Sequence, residues 1–210
     1  MRTLCREMPN LLVRVINSVG RFIELCLTGQ TEYSLITKDF CVAESIDNSV
    51  QAKLALQEIS PYLKHNFGII LKHPVIINLE KPRTRSWKRA IASAGAHIGS
   101  YTTRWLGEDM SHEILLLPGM ERRKFKAVLA HELTHAFQAE RKLLRAHKGL
   151  KEGMARWVEY HVLCEVGLNR EAKKLCSYRS FILGRGVVTI LEYERRHGRQ
   201  ATIEWLRQLQ

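Results

Sequence analysis

Residues 121–140 carry the pattern that constrains the fold most, because two helical periodicities run through the same segment. Apolar side chains recur at every fourth position and predict one stripe of an amphipathic helix, formed by Phe125, Leu129, Leu133 and Phe137. Two histidines, His131 and His135, are also four residues apart. Their imidazoles therefore leave a second face of the helix, so the stripe can enter a core while the histidines face a cleft.

His131, Glu132 and His135 together form an HExxH motif. Two imidazoles one helical turn apart can bind the same metal ion through nitrogens at about 2.0–2.1 Å. In this motif the glutamate beside the first histidine is the general base and not a ligand. Because the sequence contains 9 histidines, the motif can also arise by chance, and a third ligand is needed to support it.

The third ligand is sought downstream, because a catalytic zinc ion usually has three protein ligands and one open position. We expect Glu152, which opens the next helical segment, where a carboxylate is favoured in the first turn and can point back at the previous helix. His147 and His161 are expected to be surface or packing residues. Glu159 is expected on a solvated helix face, with the orientation of a ligand histidine as its alternative role.

Three segments of the chain resemble the gluzincin group of metallopeptidases, in which HExxH is followed by a Glu-Gly pair. Here sixteen residues separate the two motifs. In detail, the chain is most similar to the DA-one-like peptidase domain, the C-terminal part of plant growth-regulating proteins that also carry LIM and ubiquitin-binding segments. The matching segments are ILLLPG at 114–119, LAHELTHA at 129–136 and EGMARWVEY at 152–160, and the similarity covers residues 98–167.

This resemblance implies a zinc-dependent peptidase in which His131, His135 and Glu152 bind Zn²⁺ and Glu132 activates water for peptide-bond hydrolysis. Two departures limit what it implies. Many gluzincins place an acidic residue four positions after the ligand glutamate, where this chain has Arg156. The sequence shows no LIM domain and no ubiquitin-interacting segment, so activation by ubiquitin is not expected.

The order of predicted elements, helix then strands then helices, predicts an α+β fold. We expect residues 1–48 to form an N-terminal helical segment with a candidate regulatory role, and residues 49–210 to form a zincin-like metallopeptidase domain. That domain is expected to have a small N-terminal sheet-containing lobe and a mainly helical C-terminal part. Its predicted strands lie within 68–80, 91–110 and 112–119, and its predicted helices cover 49–65, 121–140, 150–167, 169–182, 186–196 and 200–209.

The charge of the chain bears on its partners, since 33 Lys and Arg against 21 Asp and Glu give a net charge of +12. A basic surface favours acidic partners, namely nucleic acid, anionic lipid or an acidic protein, and the resemblance implies a protein or peptide substrate, for which an acidic one suits the charge. The strand around 113–117 is expected to pair with an extended substrate. No nucleic-acid-binding motif accompanies the charge. The alternatives are a basic zinc protease that acts on nucleic-acid-associated proteins and a non-catalytic basic binding module.

The five cysteines are scattered and form no CxxC pair, which argues against a disulfide framework and indicates a reducing, cytoplasmic setting. An exported effector is the alternative. No segment offers the roughly 18 uninterrupted apolar residues of a membrane span. The nearest one, residues 11–27, contains Arg14, Arg21 and Glu24 and is expected to be an amphipathic helix.

Overall fold

The computed structural model describes residues 45–80, 99–106, 109–143, 147–177 and 183–209. The described strands are β1 (Ser45–Ile46), β2 (Val75–Leu79), β3 (Gly99–Leu106), β4 (Asp109–Leu116) and β5 (Met120–Glu121). The described helices are α1 (Ser49–Phe67), α2 (Arg122–Arg141), α3 (Lys148–Glu165), α4 (Asn169–Ser177), α5 (Leu183–His197) and α6 (Arg199–Gln208). This arrangement confirms the α+β prediction. The helix expected over 11–27, with most of the 1–48 segment, lies outside the described residues.

Strands β2, β4 and β3 form a three-stranded sheet in that order, and β1 pairs with β5 separately. β4 lies in the middle, parallel to β2 and antiparallel to β3. The expectation that residues 113–117 pair with an extended substrate is therefore wrong, because neighbouring strands already occupy both edges of β4. Among the described strands, β2 and β3 each keep one edge without a partner.

The hydrophobic core forms around the apolar stripe of α2, as its periodicity predicts. The four stripe residues are each at most 3 % exposed: Phe125, Leu129, Leu133 and Phe137. Helix α1 packs into the same core through Ala55, Ile59 and Leu63. With its stripe buried, α2 turns its two histidines toward α3. Within the described ranges, no helix combines the length with the apolar composition that a bilayer crossing needs.

A buried polar network fixes the C-terminal end of α2 to the sheet. Glu140 Oε1 lies 2.8 Å from His112 Nε2, and both side chains are almost fully buried. The same carboxylate accepts the backbone N–H groups of Lys72 and His73, and His112 Nδ1 lies 3.1 Å from the Tyr101 hydroxyl. Burial raises the pKa of Glu140, but these hydrogen bonds outweigh it and lower the pKa. The network therefore holds an ionised carboxylate between helix and sheet.

Helices α3 and α5 cross with their backbones in close contact, which only glycine permits. A Cβ atom on Gly153 would lie 2.5 Å from the carbonyl carbon of Gly186, and a Cβ atom on Gly186 would collide with the carbonyl oxygen of Gly149. Larger residues cannot fit at these positions unless one helix shifts. Because Glu152 is the neighbour of Gly153, the crossing fixes the place where α3 presents that carboxylate.

The substitution Gly153→Ala tests this contact, because the contact decides whether the free energy of unfolding rises or falls. In an exposed helix, Gly→Ala stabilises by about 1 kcal/mol, because alanine has the higher helix propensity. Here the added methyl group meets the backbone of α5, so we expect the free energy of unfolding to fall by about 1–3 kcal/mol. Urea denaturation of wild type and variant measures the difference. A more stable variant would show that the helices do not touch at this point.

Candidate metal centre

The middle of α2 and the N-terminal part of α3 place three side chains around one point. His131 Nε2 and His135 Nε2 lie 3.1 Å apart, and the Glu152 carboxylate oxygens lie 3.3 Å from His135 Nε2 and 3.7 Å from His131 Nε2. Ligand atoms at about 2.0–2.1 Å from a tetrahedral ion are themselves about 3.3–3.4 Å apart. The three predicted ligands are thus brought together, and the group can hold one metal ion.

Two other histidines that follow the motif lie elsewhere. His147 is exposed at the beginning of α3. His161 Nε2 lies 2.8 Å from Glu194 Oε2, and its Nδ1 lies 3.0 Å from Arg199 Nη2. These two contacts of His161 join α3 to α5 and α6. These positions agree with the surface and packing roles that were expected of both histidines.

Glu159 supports the first histidine of the motif from behind. Its side chain is 5 % exposed, and its Oε2 accepts a hydrogen bond from His131 Nδ1 at 3.0 Å. An ionised carboxylate can only accept, so Nδ1 carries the proton and the Nε2 lone pair faces the metal position. The expectation of a solvated helix face for Glu159 is therefore wrong, and its alternative role, the orientation of a histidine, is the one that its contacts support.

Gln138 supports the second histidine and also joins the two helices. Its Nε2 donates to the backbone carbonyl of Lys151 at 2.8 Å. Because that carbonyl can only accept, the amide oxygen faces the other way and accepts from His135 Nδ1 at 2.9 Å. His135 therefore also keeps its Nε2 lone pair for a metal ion. Since Glu152 follows Lys151, one buried amide positions two of the three ligands.

Arg156 takes the position where many gluzincins have an acidic residue. Its side chain is 1 % exposed, and its Nε donates to Glu152 Oε1 at 3.0 Å. This contact engages one carboxylate oxygen, while Oε2 lies 3.3 Å from His135 Nε2. Burial raises the pKa of Glu152, but His135, His131 and Arg156 outweigh it and hold the pKa well below its usual range. Glu152 is therefore ionised, as a metal ligand must be.

Glu132 is buried beside the three ligands without being one of them. It packs against Gly99 at the start of β3, where a Cβ atom would lie 2.7 Å from Glu132 Oε1. Burial raises the pKa of Glu132, and the nearby histidines offset this only in part. A buried carboxyl group with a raised pKa is suited to accept a proton and return it.

Sequence reasoning did not single out Gln138 and misplaced Glu159, although helical spacing contains a signal for both. Gln138 follows His135 by three residues, and Glu159 follows Glu152 by seven, so each shares a helix face with a ligand. Gly99 offers no such signal, because it belongs to a strand 33 residues before Glu132. Its place depends on tertiary packing alone.

Comparison of the chain with protein-family models gives no match. Comparisons with curated proteins and with solved structures likewise give none. The resemblance to gluzincins therefore rests on the sequence motifs alone, and the structure adds a group of three side chains that could hold a metal ion.

The pKa of His131 leads to a prediction about the stability of the metal-free protein. Burial lowers this pKa, but Glu159, and after it Glu152 and Glu132, outweigh burial and raise the pKa to about 9. The pKa of His131 is therefore higher in the folded protein than in the unfolded chain, where it is about 6.5. Protonation of His131 then stabilises the folded protein: this contribution is fully present below pH 6.5 and is lost as the pH rises through 9. The loss should be on the order of 3 kcal/mol.

The variant Glu159→Gln removes the main cause of this shift, so it should lose most of the pH dependence between 6.5 and 9. Urea denaturation in EDTA across this range measures the effect for both proteins. If wild type and variant lose the same stability as the pH rises, Glu159 is not the partner that raises the pKa of His131.

A second prediction concerns the metal affinity that Gln138 supports. Gln138→Leu removes the hydrogen bonds to both His135 and Lys151, and we expect the zinc affinity to fall about 10–100-fold. Gln138→Glu keeps an acceptor for His135 but loses the donor to Lys151, so its affinity should lie between the two. Competition with a chromophoric chelator measures each affinity. Wild-type affinity in Gln138→Leu would contradict the positioning role.

Proposed function

We propose that this chain is a zinc-dependent peptidase of the gluzincin type with a zincin-like fold. The observation that carries the proposal is the convergence of His131, His135 and Glu152 on one point, with Glu132 buried beside them. In an HExxH motif, that arrangement supplies both the ligands and the general base of a metallopeptidase.

The donor set suits a transition metal, and the HExxH motif favours zinc over iron(II), which also binds two imidazoles and a carboxylate. Two imidazoles and one carboxylate are typical of catalytic zinc sites, whereas calcium and magnesium prefer oxygen ligands alone. The charges suit a divalent cation, because Glu132, Glu152 and Glu159 each carry a negative charge when ionised and Arg156 carries a positive one. With neutral histidines, these four side chains have two negative charges in excess.

The chemistry divides between the ion and the side chains that surround it. A zinc ion bound here would supply a Lewis acid that acidifies water and polarises a carbonyl group. Glu132 takes the proton that water gives up and returns it to the amine that leaves. Glu159 and Gln138 keep the histidines in the tautomer that binds metal. Arg156 holds the Glu152 carboxylate by one oxygen.

We assign the substrate to the edge of β3 that has no partner among the described strands. Gly99 brings the beginning of this strand against Glu132. An extended peptide that pairs with this edge would pass the general base, and main-chain hydrogen bonds would hold it without requiring a particular sequence. The substrate therefore lies along β3 and not along residues 113–117.

The two alternative functions differ from this proposal in what they require. A non-catalytic binding module gives no role to Glu132, and burial of a polar carboxyl group without one is costly. A protease that acts on nucleic-acid-associated proteins would share the metal centre, and its activity would be strongly stimulated by DNA. Peptide cleavage that is indifferent to DNA counts against that alternative.

A matched pair of substitutions tests the proposed roles. Glu132→Gln should keep about one zinc ion per chain, because this residue is not a ligand, and should lose peptide cleavage by about 100-fold or more. Glu152→Ala should lose most of the zinc as well as the activity. Mass-spectrometric metal analysis and cleavage of a fluorogenic peptide mixture measure both effects.

Glu204→Gln is the control for these variants, since Glu204 is an exposed carboxylate on α6. It should retain both the zinc and the activity. Normal cleavage by Glu132→Gln would refute the assignment of the base, and full zinc content in Glu152→Ala would refute the third ligand.

A further inference from the structure

We propose that a cluster of unpaired cations beside the metal centre selects substrates with acidic side chains on one side of the bond that is cut. This basic rim consists of Arg141, Lys142, Lys148 and Lys151, at the end of α2 and the beginning of α3. The inference rests on the proposed function, because it names the substrate class of the same site.

The positive charge of the basic rim is not compensated nearby. From Arg141 to Lys151 the sequence contains no aspartate and no glutamate. In the part of the chain that the structure describes, no rim side chain forms an ion pair, and the Arg141 guanidinium lies 5.8 Å from the centre of the Phe137 ring. Lys126, by contrast, is buried against Glu58 at 2.7 Å. The rim cations are therefore available to a partner.

Helical spacing places Lys148 on the face of α3 that carries Glu152, and the other rim residues lie within about two turns of a candidate ligand along the chain. Lys142 directly follows α2, with a left-handed backbone at φ 56°, and lies seven residues after His135, whereas Lys148 precedes Glu152 by four residues, about one turn of α3. These separations correspond to about 10 Å and about 6 Å along the helix axes. An extended peptide covers about 3.3 Å per residue. The rim therefore lies about two to three residues away from a bond held at the metal centre.

The basic rim lies on one side of the metal centre, so a preference for acidic residues is expected on only one side of the bond that is cut. Unpaired ammonium and guanidinium groups attract carboxylates across this distance. A divalent ion bound at the centre would balance the two negative charges that its side chains have in excess, so the centre itself does not attract an acidic side chain and only the rim does. A peptide with one or two acidic residues suits so short a rim. A nucleic acid carries a phosphate on every nucleotide and would bring charge past the buried carboxylates as well.

Cleavage of a randomised peptide library, with the products sequenced by mass spectrometry, tests the preference. We expect Asp and Glu to be enriched about threefold to tenfold at two to three residues from the cut, on one side only. The variant Lys142→Glu/Lys148→Glu should lose this enrichment and favour Lys and Arg there. Lys53→Glu/Lys64→Glu, which changes two exposed lysines on α1, is the matched control and should keep the wild-type profile.

A binding measurement separates failure of this inference from failure of the proposed function. The anisotropy of labelled Glu-Ala, Gln-Ala and Lys-Ala peptides is measured with zinc-loaded Glu132→Gln protein, with and without the two rim substitutions. Preferential binding of the Glu-Ala peptide that the rim substitutions abolish supports the rim, even if wild type cuts no peptide and the proposed function fails.

Three results would contradict the inference that the basic rim selects acidic substrates. One is cleavage without acidic enrichment, which leaves the proposed function intact. Another is equal binding of the three peptides, or no binding of any of them. The third is a short single-stranded oligodeoxynucleotide that binds more tightly than the Glu-Ala peptide and loses this affinity in the rim variant, because the rim would then serve nucleic acid.

Discussion

Two imidazole nitrogens that face each other at 3.1 Å inside the protein are the constraint on which this site depends. Both lone pairs point to the same place, since Glu159 and Gln138 engage the protons on the opposite ring nitrogens. Such an arrangement is repulsive unless a cation, either a proton or a metal ion, lies between the rings. In the metal-free protein the carboxylates of Glu159, Glu152 and Glu132 raise the pKa of His131, so a proton can take this place. The carboxylate of Glu152 faces the same place as the two imidazole nitrogens, which favours a metal ion over a proton there.

The fold holds the metal centre through contacts that do not themselves reach the metal position. Glu140 and His112 fix the end of α2 to the sheet, and the close approach of Gly153 to Gly186 fixes α3 against α5. Gln138 then ties α2 to α3 through the backbone of Lys151. The ligands are therefore positioned by where the helices lie, and the surrounding residues supply the precision that the ligands alone lack.

Helical periodicity explains why much of this arrangement could be predicted from sequence. The buried stripe of α2 and the pairing of its histidines require only the repeat of one helix. Glu152 was expected in the first turn of the next helix, which begins earlier, at Lys148, so that Glu152 lies in its second turn. Local patterns also predict β4 as a strand, but they contain nothing about its neighbours, which is why an open edge was expected where two strands pair. Glu159 was expected in solvent because helix glutamates are mostly exposed, and only the packing of α3 on α2 buries it.

X-ray absorption at the zinc edge of the purified, zinc-loaded protein tests the central claim most directly, because it reports which atoms surround the ion. Two imidazoles, with a carboxylate and water completing a four-coordinate shell of nitrogen and oxygen at about 2.0–2.2 Å, is the result that this account predicts. A sulfur scatterer at about 2.3 Å, or a shell with no imidazole signal, would contradict it. In that case His131, His135 and Glu152 would not be the ligands.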